Sequence, residues 1–410
     1  MQNLDAKGTP RPLAALLSQV LVAYTIELDD EFELRMARAG FAGARLSLVL
    51  WTNVLRFLAD RALPVRELSA LSLEPLDGLR LELGCLERWG FVVLRPREDR
   101  SEGRSQMDPS TPHAARRDGW GSGRGIGKDW TARLTHKGRT AAEVWPPLWR
   151  EIEERWERRF GAGEVDALRR SLDEIQTRSE FELPWGFPPG LEVAASGSYP
   201  PRRPEKEAPP LPLSALLSRV LLMFTIEFDQ MSRTPLALCA GILRALGESP
   251  VRVGDLPRLT GGSSEASDIG WRLRPYVALD DDPSGRRGRV VRLSPLGLRA
   301  RRGYRRFSDE IEREWETRFG AAETGALRSA LESTLGRTAG GQSLLGLGLV
   351  PPQGVARAGT QAPALGRRDV GVAARQRTRD LVEQTKLFLS DPRENLPHYP
   401  MWDMNRGFGP

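Results

Sequence analysis

The residues of this sequence best suited to chemistry are arginines, and nine of them fall between positions 286 and 306 with no acid among them. A guanidinium group is always charged, and its planar fork of donors matches the oxygens of a phosphate. Four of these arginines lie in the run DPSGRRGRVVRLSPLG, which begins at Asp282. This spacing indicates the binding of phosphates, the main source of affinity for DNA. The four candidate residues are Arg286, Arg287, Arg289 and Arg292.

The sequence holds no arrangement typical of catalysis. It has no Ser-His-Asp candidate, no phosphate-binding loop and no metal-ligand spacing. Three histidines and two distant cysteines, Cys85 and Cys239, cannot build a usual zinc site. We therefore expect no enzyme activity, no catalytic residue, no metal and no cofactor. Because Cys85 lies between apolar neighbours, we expect a buried small hydrophobe rather than an oxidant sensor.

The elements that must position the arginines follow from the same run. Asp282 opens a turn signal that ends at Gly285. The apolar residues Val290, Val291 and Leu293 predict a strand. Ser294 followed by Pro295 is typical of a capped helix start. A turn, a basic strand and a capped helix predict the wing of a winged helix.

The upstream half of the chain predicts the same order of elements. Helices are expected over about 46–60, 64–68 and 75–89, and strands over about 91–94 and 130–134. Helix, short helix, helix and two strands is the order of a winged helix-turn-helix. The loop between the strands is glycine-rich and carries basic residues. The candidate DNA contacts in this wing are Arg95, Arg97, Arg124 and Lys128.

The sequences of both predicted wings resemble those of MarR-type regulators. That family carries a wing close to DPxDRRAxxVxLTxxG, and the run from Asp282 to Gly297 matches it except at Gly285, Gly288, Ser294 and Leu296. The phrase LERWGFVV, residues 86–93, is also similar to the family segment that follows the recognition helix. The resemblance implies a DNA-binding regulator with a small-molecule effector held between the wing units and the dimer helices.

Base reading falls to the third helix of each unit. In the first unit this helix carries Asp77, Glu82 and Glu87 against Arg80 and Arg88. In the second unit the matching stretch, 263–273, is shorter. An acidic or shortened recognition helix predicts weak or asymmetric reading of bases. The candidate base contacts are Arg80, Ser263, Ser264, Ser267 and Arg272.

The chain is a tandem duplication. Residues 13–29 match 213–229 at 11 of 17 positions, and residues 151–172 match 310–331. The offset falls from 200 to 159 between the two matches, so the first copy holds 41 more residues. Each copy begins with a nearly all-apolar helix, about 13–28 in the first, which predicts a buried position.

Each copy also ends with two helices. The long ones are expected over about 136–160 and 296–319, and the short ones over about 163–177 and 322–335. In MarR-type proteins the first helix and the last two make the dimer interface. The resemblance therefore implies an internal pseudo-dimer and a chain that is a monomer or a weak dimer. The alternative is that core helices simply diverge slowly after duplication.

Acids repeat near the end of the first helix of each copy. The segment Thr25-Ile26-Glu27 returns as Thr225-Ile226-Glu227, and Asp29 returns as Asp229. We considered a metal or ligand role for these acids. Paired or capping carboxylates are the expected explanation, because acids beside buried surface are usually partnered.

Length and composition agree with a multi-domain protein. The chain has 410 residues, a net charge of +6 and a basic isoelectric point near 9.7, which favours polyanionic partners. No apolar run is long enough to span a membrane and no signal peptide is evident, so a cytoplasmic location is expected. We divide the sequence into a disordered N-terminus 1–12, a first winged-helix unit 13–178, a Pro-rich linker 179–212, a second unit 213–335 and a flexible tail 336–410 with a short helix around 372–389.

The predicted fold is mainly α with small β-wings, as two winged helix-turn-helix units forming a single-chain pseudo-dimer. The predicted function is that of a transcriptional regulator that binds double-stranded DNA. The alternative is an interaction scaffold for proteins or ligands that kept the fold without sequence-specific reading.

Overall fold

A computed structural model describes residues 10–41, 46–96, 125–188, 199–202, 210–247, 249–260, 273–282, 288–350 and 386–400. The chain is mainly helical with small antiparallel sheets, which confirms the coarse fold class predicted from the sequence. It divides into two compact units, which are described separately. The small unit is 50–146, and the large unit comprises 1–49 and 147–410.

The elements of the first copy begin with a helix ten residues longer than predicted. Its added turns carry acids that are partnered rather than solvated: Glu31 accepts from Arg35 Nε at 2.9 Å and from Arg155 Nη2 at 2.7 Å. The elements are α1 Leu13–Arg38, α2 Leu48–Asn53, a 3-10 turn Leu55–Leu58, β1 Leu63–Pro64, α3 Val65–Ser72, α4 Leu76–Arg88, β2 Val92–Arg95, β3 Thr131–Leu134, α5 His136–Phe160 and α6 Ala162–Thr177.

The second copy repeats this order with a shorter middle. The helix predicted over 46–60 in the first copy is interrupted at Val54, and its counterpart is a short helix followed by a π-helical turn with a kink at Gly241. The elements are α7 Leu213–Met231, α8 Leu236–Leu238, the π-helical turn Cys239–Leu243, β4 Val251–Arg252, a 3-10 turn Val253–Asp255, α9 Leu256–Thr260, β5 Val277–Asp281, β6 Arg289–Leu293, α10 Pro295–Phe319 and α11 Ala321–Gly336.

Both copies carry a three-stranded antiparallel sheet of the same topology. The order is β1-β3-β2 in the first copy and β4-β6-β5 in the second, so the last strand of each copy is central. In the first hairpin, β2 and β3, Val92 pairs with Leu134, and in the second hairpin, β5 and β6, Val277 pairs with Leu293. The long helix of the first copy, α5, continues through Pro146 and Pro147.

The core of the large unit is built from helices of both copies. Helix α1 packs against α7 and α11, and α6 packs against α7 and α11. The apolar residues of α1 from Leu13 to Leu28 are buried, as are most of those of α7. The prediction that these first helices are buried is therefore confirmed.

The first helix of each copy is capped by the other copy. Leu13 N donates to Glu312 Oε1 at 2.6 Å, and Leu213 N donates to Glu153 Oε1 at 2.7 Å. The residue before each helix is a proline whose side chain makes no capping bond. A carboxylate from the partner copy therefore satisfies a free N–H and meets the positive end of the helix dipole.

Two arginines complete these crossed caps. Arg328 Nη1 donates to Arg11 O at 2.9 Å, and Arg169 Nη1 donates to Leu211 O at 2.6 Å. Each arginine also pairs with the capping glutamate of its own copy. Because Arg11 is only 2% exposed, the disorder expected for residues 1–12 is wrong at their end.

The expected linker and tail are more ordered than predicted. In the linker, Leu183, Phe187 and Tyr199 are buried, so this stretch is more than an extended spacer. In the tail, strands Thr338–Ala339 and Gln342–Ser343 form β7 and β8, which lead into the partly buried helix α12, Leu344–Gly348.

The segment 386–400 is docked on the large unit. Gln19 Nε2 donates to Arg393 O at 2.8 Å and to Leu396 O at 2.9 Å, and Ser18 Oγ donates to Pro397 O at 3.1 Å. This segment is helical at 386–390 and at Pro392–Asn395. The flexible tail predicted over 336–410 is therefore wrong here, while residues 351–385, with most of the helix expected around 372–389, lie outside the described residues.

Candidate nucleic-acid interface

The second hairpin carries the described part of the predicted wing. Arg289 opens β6 at its exposed end, and Asp282 N donates to Gly288 O at 3.2 Å across the strands. Arg289 is exposed, and its guanidinium contacts Leu279 O only at 3.5 Å. Its charge therefore remains accessible to solvent. Arg286 and Arg287 lie outside the described residues.

Acids of β5 lie opposite the arginines of β6. Arg292 Nε donates to Asp280 Oδ2 at 2.7 Å, with both side chains about half exposed, and Asp281 is the register partner of Arg289. An acid is therefore paired with one of the four wing arginines, Arg292. The run is free of acids along the chain, but antiparallel pairing brings an earlier segment alongside it. An exposed ion pair contributes only about 0–1 kcal/mol, so a phosphate can displace Asp280 at small cost.

A second ion pair crosses this sheet. Arg252 on β4 donates to Asp282 Oδ2 at 2.5 Å, and the Asp282 side chain is 6% exposed. Asp282 is the first residue of the predicted wing motif. Its carboxylate ties the start of the loop after β5 to β4, the strand on the other side of β6.

The residues at the end of the wing motif have a structural role. Ser294 Oγ donates to Pro275 O at 2.7 Å and accepts from Gly297 N at 3.2 Å, which caps α10 as predicted. A Cβ on Gly297 would lie 2.1 Å from Tyr276 O. Only glycine therefore allows the helix to approach the strand at this point.

The first copy repeats this joint. Thr135 Oγ1 donates to Gly90 O at 2.6 Å and accepts from Gly138 N at 3.1 Å. A Cβ on Gly138 would lie 2.1 Å from Phe91 O. The shared ending of the two wing motifs is thus explained by the packing of a helix start on a strand.

Two of the four candidate DNA contacts of the first hairpin lie within the described residues. Arg95 closes β2 and is exposed, and Lys128 is exposed with its carbonyl accepting from Arg66 N at 2.9 Å. Both side chains face solvent, as a phosphate contact requires. Arg97 and Arg124 lie outside the described residues.

Helix α4 is the predicted recognition helix of the first copy, and two of its three acids are buried or hydrogen-bonded to the backbone. Glu82 is fully buried, and Glu87 Oε1 accepts from Leu94 N at 3.0 Å. Arg80 is half-buried and donates to Asp77 at 3.0 Å, which makes it a poor base contact in this arrangement. The exposed residues of α4 are Asp77, Leu81 and Arg88.

Glu82 forms a buried acid pair with Glu74, the residue before the proline that starts α4. Burial raises the pKa of Glu82 well above its usual range, and the neighbouring Glu74 carboxyl raises it further. Burial also raises the pKa of Glu74. The turn between α3 and α4 places Glu74 there through Leu73, which has a left-handed backbone with φ of 60°. The sequence pattern counts Glu82 as a surface charge, whereas it is a buried residue whose surroundings favour the neutral carboxyl.

The predicted recognition stretch of the second copy, residues 263–273, lies outside the described residues except at Leu273. Its candidate base contacts are Ser263, Ser264, Ser267 and Arg272, and all four lie outside the described residues. Base reading by this stretch stays a prediction.

The repeated acids of the first copy are partnered, as predicted. Glu27 accepts from Trp156 Nε1 at 3.0 Å and from both terminal nitrogens of Arg159, at 2.8 and 2.7 Å. Asp29 Oδ1 accepts from Leu48 N at 3.1 Å, at the start of α2.

The second copy builds the same contacts. Glu227 accepts from Trp315 Nε1 at 2.7 Å and from Arg318, and Asp229 Oδ1 accepts from Leu236 N at 2.8 Å at the start of α8. These acids therefore hold the helices together. Within the described residues no group of three histidines, cysteines or acids could hold a metal ion.

Both cysteines are buried. Cys85 is 7% exposed and Cys239 is fully buried. Burial raises the pKa of the Cys85 thiol, and it raises the pKa of Cys239 to about 12. Little thiolate therefore forms at neutral pH, which agrees with the prediction of a small hydrophobe.

A cavity of about 30 Å³ lies beside the end of α6, lined by Gln176, Ser179, Phe181, Arg202 and Arg219 among others. Drug-sized ligands occupy roughly 300 Å³ or more, so this cavity suits a water molecule rather than an effector. An effector site stays a prediction. None of the described helices is both long enough and apolar enough to cross a membrane.

Comparison with protein-family models, curated proteins and solved structures finds no match to this chain. The repeated architecture and the charged second hairpin are therefore the features of this chain that bear on its function.

Proposed function

We propose that this protein is a DNA-binding transcriptional regulator of the MarR-like winged-helix type, with two winged helix-turn-helix units in one chain. The observation that carries the proposal is the second hairpin. It presents exposed Arg289 on a strand that leads into a capped helix. Arg286 and Arg287 occupy the turn between the strands in sequence, where a wing meets a phosphate or a minor groove.

The pseudo-dimer is part of the same proposal. The crossed caps are reciprocal, since each copy contributes one glutamate and one arginine that contact the start of the other copy's first helix. Reciprocal contacts of this kind characterise the two-fold interface of a homodimer. The single chain would then contain both winged-helix units and the interface between them, which a dimeric regulator forms from two chains.

The test is the salt dependence of binding to duplex DNA. We expect the triple variant R286A/R287A/R289A to bind any duplex more weakly, with the log–log salt slope flattened by roughly 0.9 for each phosphate that the variant no longer neutralises. The control R158A/R170A/R313A removes the same charge from exposed positions on α5, α6 and the C-terminal half of α10. An unchanged slope in the hairpin variant would show that the wing is not the contact surface.

The second candidate function is an interaction scaffold that does not read sequence. The observation in its favour is the acid content of β5, where Asp280 pairs with Arg292 and Asp281 faces Arg289. A scaffold predicts that the wild-type protein shows no salt-dependent affinity for duplex DNA. If DNA is bound, Arg272→Ala should relax the preference between sequences more than it lowers total affinity. A small-molecule effector remains part of the regulator proposal, and titration of bound DNA with candidate ligands tests it.

A further inference from the structure

The first half of α10 carries a second group of arginines that the predicted contacts do not use. Arg299, Arg302 and Arg306 are exposed, while Arg301 and Arg305 are half-buried. Steps of three and four residues place the exposed three on one side of a helix. We call Arg299, Arg302 and Arg306 the arginine stripe.

The opposite side of the same turns is the core side. Ala300, Tyr304 and Ser308 are buried, and Ser308 Oγ donates to Tyr304 O at 2.8 Å. Tyr304 stacks edge-on against Phe228 of α7 at 6.2 Å between ring centroids. Since the inner side is packed, the arginine stripe faces solvent.

In the part of the chain that the structure describes, the acid nearest in sequence to the arginine stripe pairs with another arginine. Among the residues that the structure describes, Arg299 and Arg302 have no ion-pair partner, and Arg306 lies over the ring of Phe307 at 4.5 Å. The first acid of the helix is Asp309, which pairs with Arg305 at 3.0 Å. Among the described residues, therefore, no acid forms an ion pair with the arginine stripe.

This arrangement costs stability that the fold does not require. Like charges three or four residues apart on a helix are unfavourable by about 0.2–0.5 kcal/mol a pair. At the offset of 159 the first copy has Thr140, Glu143 and Pro147 in place of the stripe, and α5 forms a helix of the same length. Neither helix formation nor packing therefore explains the three arginines, and an anionic partner would.

We infer that the arginine stripe is a second phosphate-binding surface, which continues the contact of the second hairpin along a duplex. Helix α10 starts directly after β6, so at about 1.5 Å per residue the stripe lies roughly 6–17 Å along the helix from its first residue. Arginine forks at this spacing suit successive phosphates of a nucleic-acid backbone. The first copy lacks the stripe, so the second copy is the electrostatic anchor. This inference rests on the proposed function.

The experiment compares R299A/R302A/R306A with the wild-type protein and with the control R158A/R170A/R313A. Binding of a labelled random-sequence duplex is followed by fluorescence anisotropy over a series of salt concentrations. We expect the stripe variant to flatten the log–log salt slope by roughly 0.9 for each phosphate left without its arginine, while the control keeps the wild-type slope. Alanine is the best helix former, so circular dichroism should show an unchanged helical content.

Each outcome decides a separate question. A wild-type slope in the stripe variant, with a flattened slope in R286A/R287A/R289A, overturns the stripe and leaves the proposed function standing. Equal flattening in the stripe variant and the control also overturns it, because net charge alone would then explain the effect. A wild-type protein without salt-dependent binding overturns both.

Discussion

At the scale of single residues, surroundings decide what a charge does. Glu82 and Arg292 look alike in sequence as exposed charges, yet the first is buried as an acid pair and the second is held by Asp280. Arg289 and the arginine stripe keep their charges toward solvent. Charge counts along α4 therefore mislead, while those along the first half of α10 do not.

Replacing Glu82 by Gln should remove a pH dependence of the small unit. Because the folded pKa of Glu82 is raised above its unfolded value, its protonation stabilises the fold at low pH, and that stability is lost as pH rises from near 4.5 through the folded pKa. As pH rises above about 4.5, we expect the unfolding free energy of E82Q to fall less steeply than that of the wild-type protein.

Urea unfolding at a series of pH values measures this difference. Glu143→Gln is the control, since Glu143 is exposed in the same unit. Identical dependences of the unfolding free energy on pH for E82Q and wild type would contradict a raised pKa of Glu82 in the folded state.

At the scale of elements, the helices that join the copies depend on contacts from distant sequence. The capping glutamates, Glu153 and Glu312, lie well inside α5 and α10, and each serves the helix start of the other copy. Local sequence marks the start of α1 only by Pro12, and tertiary contacts supply the missing acceptor.

The two capping glutamates should contribute similar amounts to stability. Glu153→Gln and Glu312→Gln should each lower the unfolding free energy by about 1–2 kcal/mol, since each weakens a helix cap and a partly buried pair with arginine. Denaturant titration measures the change, with exposed Glu314→Gln as the control. A decrease in one variant and none in the other would contradict the reciprocal interface.

The docked segment 386–400 should also stabilise the large unit. Tyr399 is 2% exposed and lies edge-on to Phe187 at 5.4 Å between ring centroids. Tyr399→Ala should cost about 3 kcal/mol, the usual loss for a buried aromatic ring, and Leu389→Ala, at an exposed position of the same segment, much less. Thermal unfolding of the two variants measures this, and equal melting temperatures would argue against a docked tail.

At the scale of the whole molecule, helices α1, α6, α7 and α11 bury each other within one chain. Each of these helices is thus covered by helices of the other copy. The first and last helices of each copy are also the segments with the clearest repeat, as expected for an interface under packing constraint.

The protein should therefore be a monomer or a weak dimer in solution. Light scattering should give a mass near 45.6 kDa at low concentration. A mass of twice that value, unchanged on dilution, would contradict the internal pseudo-dimer.

The sequence by itself determined the duplication, the order of elements and most of their bounds. Helices α4, α5, α10 and α11 lie within one residue of their predicted ends, because apolar periodicity, glycine stops and the Ser294 cap are local signals. Burial of the first helices and of Cys85 was also predicted, because their neighbours in the sequence are apolar.

Only the tertiary structure decided which charges are free. Pairing of β5 with β6 placed Asp280 against Arg292, and the turn at Leu73 brought Glu74 to Glu82. It also decided that residues 386–400 dock on α1. Hydrogen bonds and ion pairs of this kind join residues far apart in the chain, and periodicity carries no information about such partners.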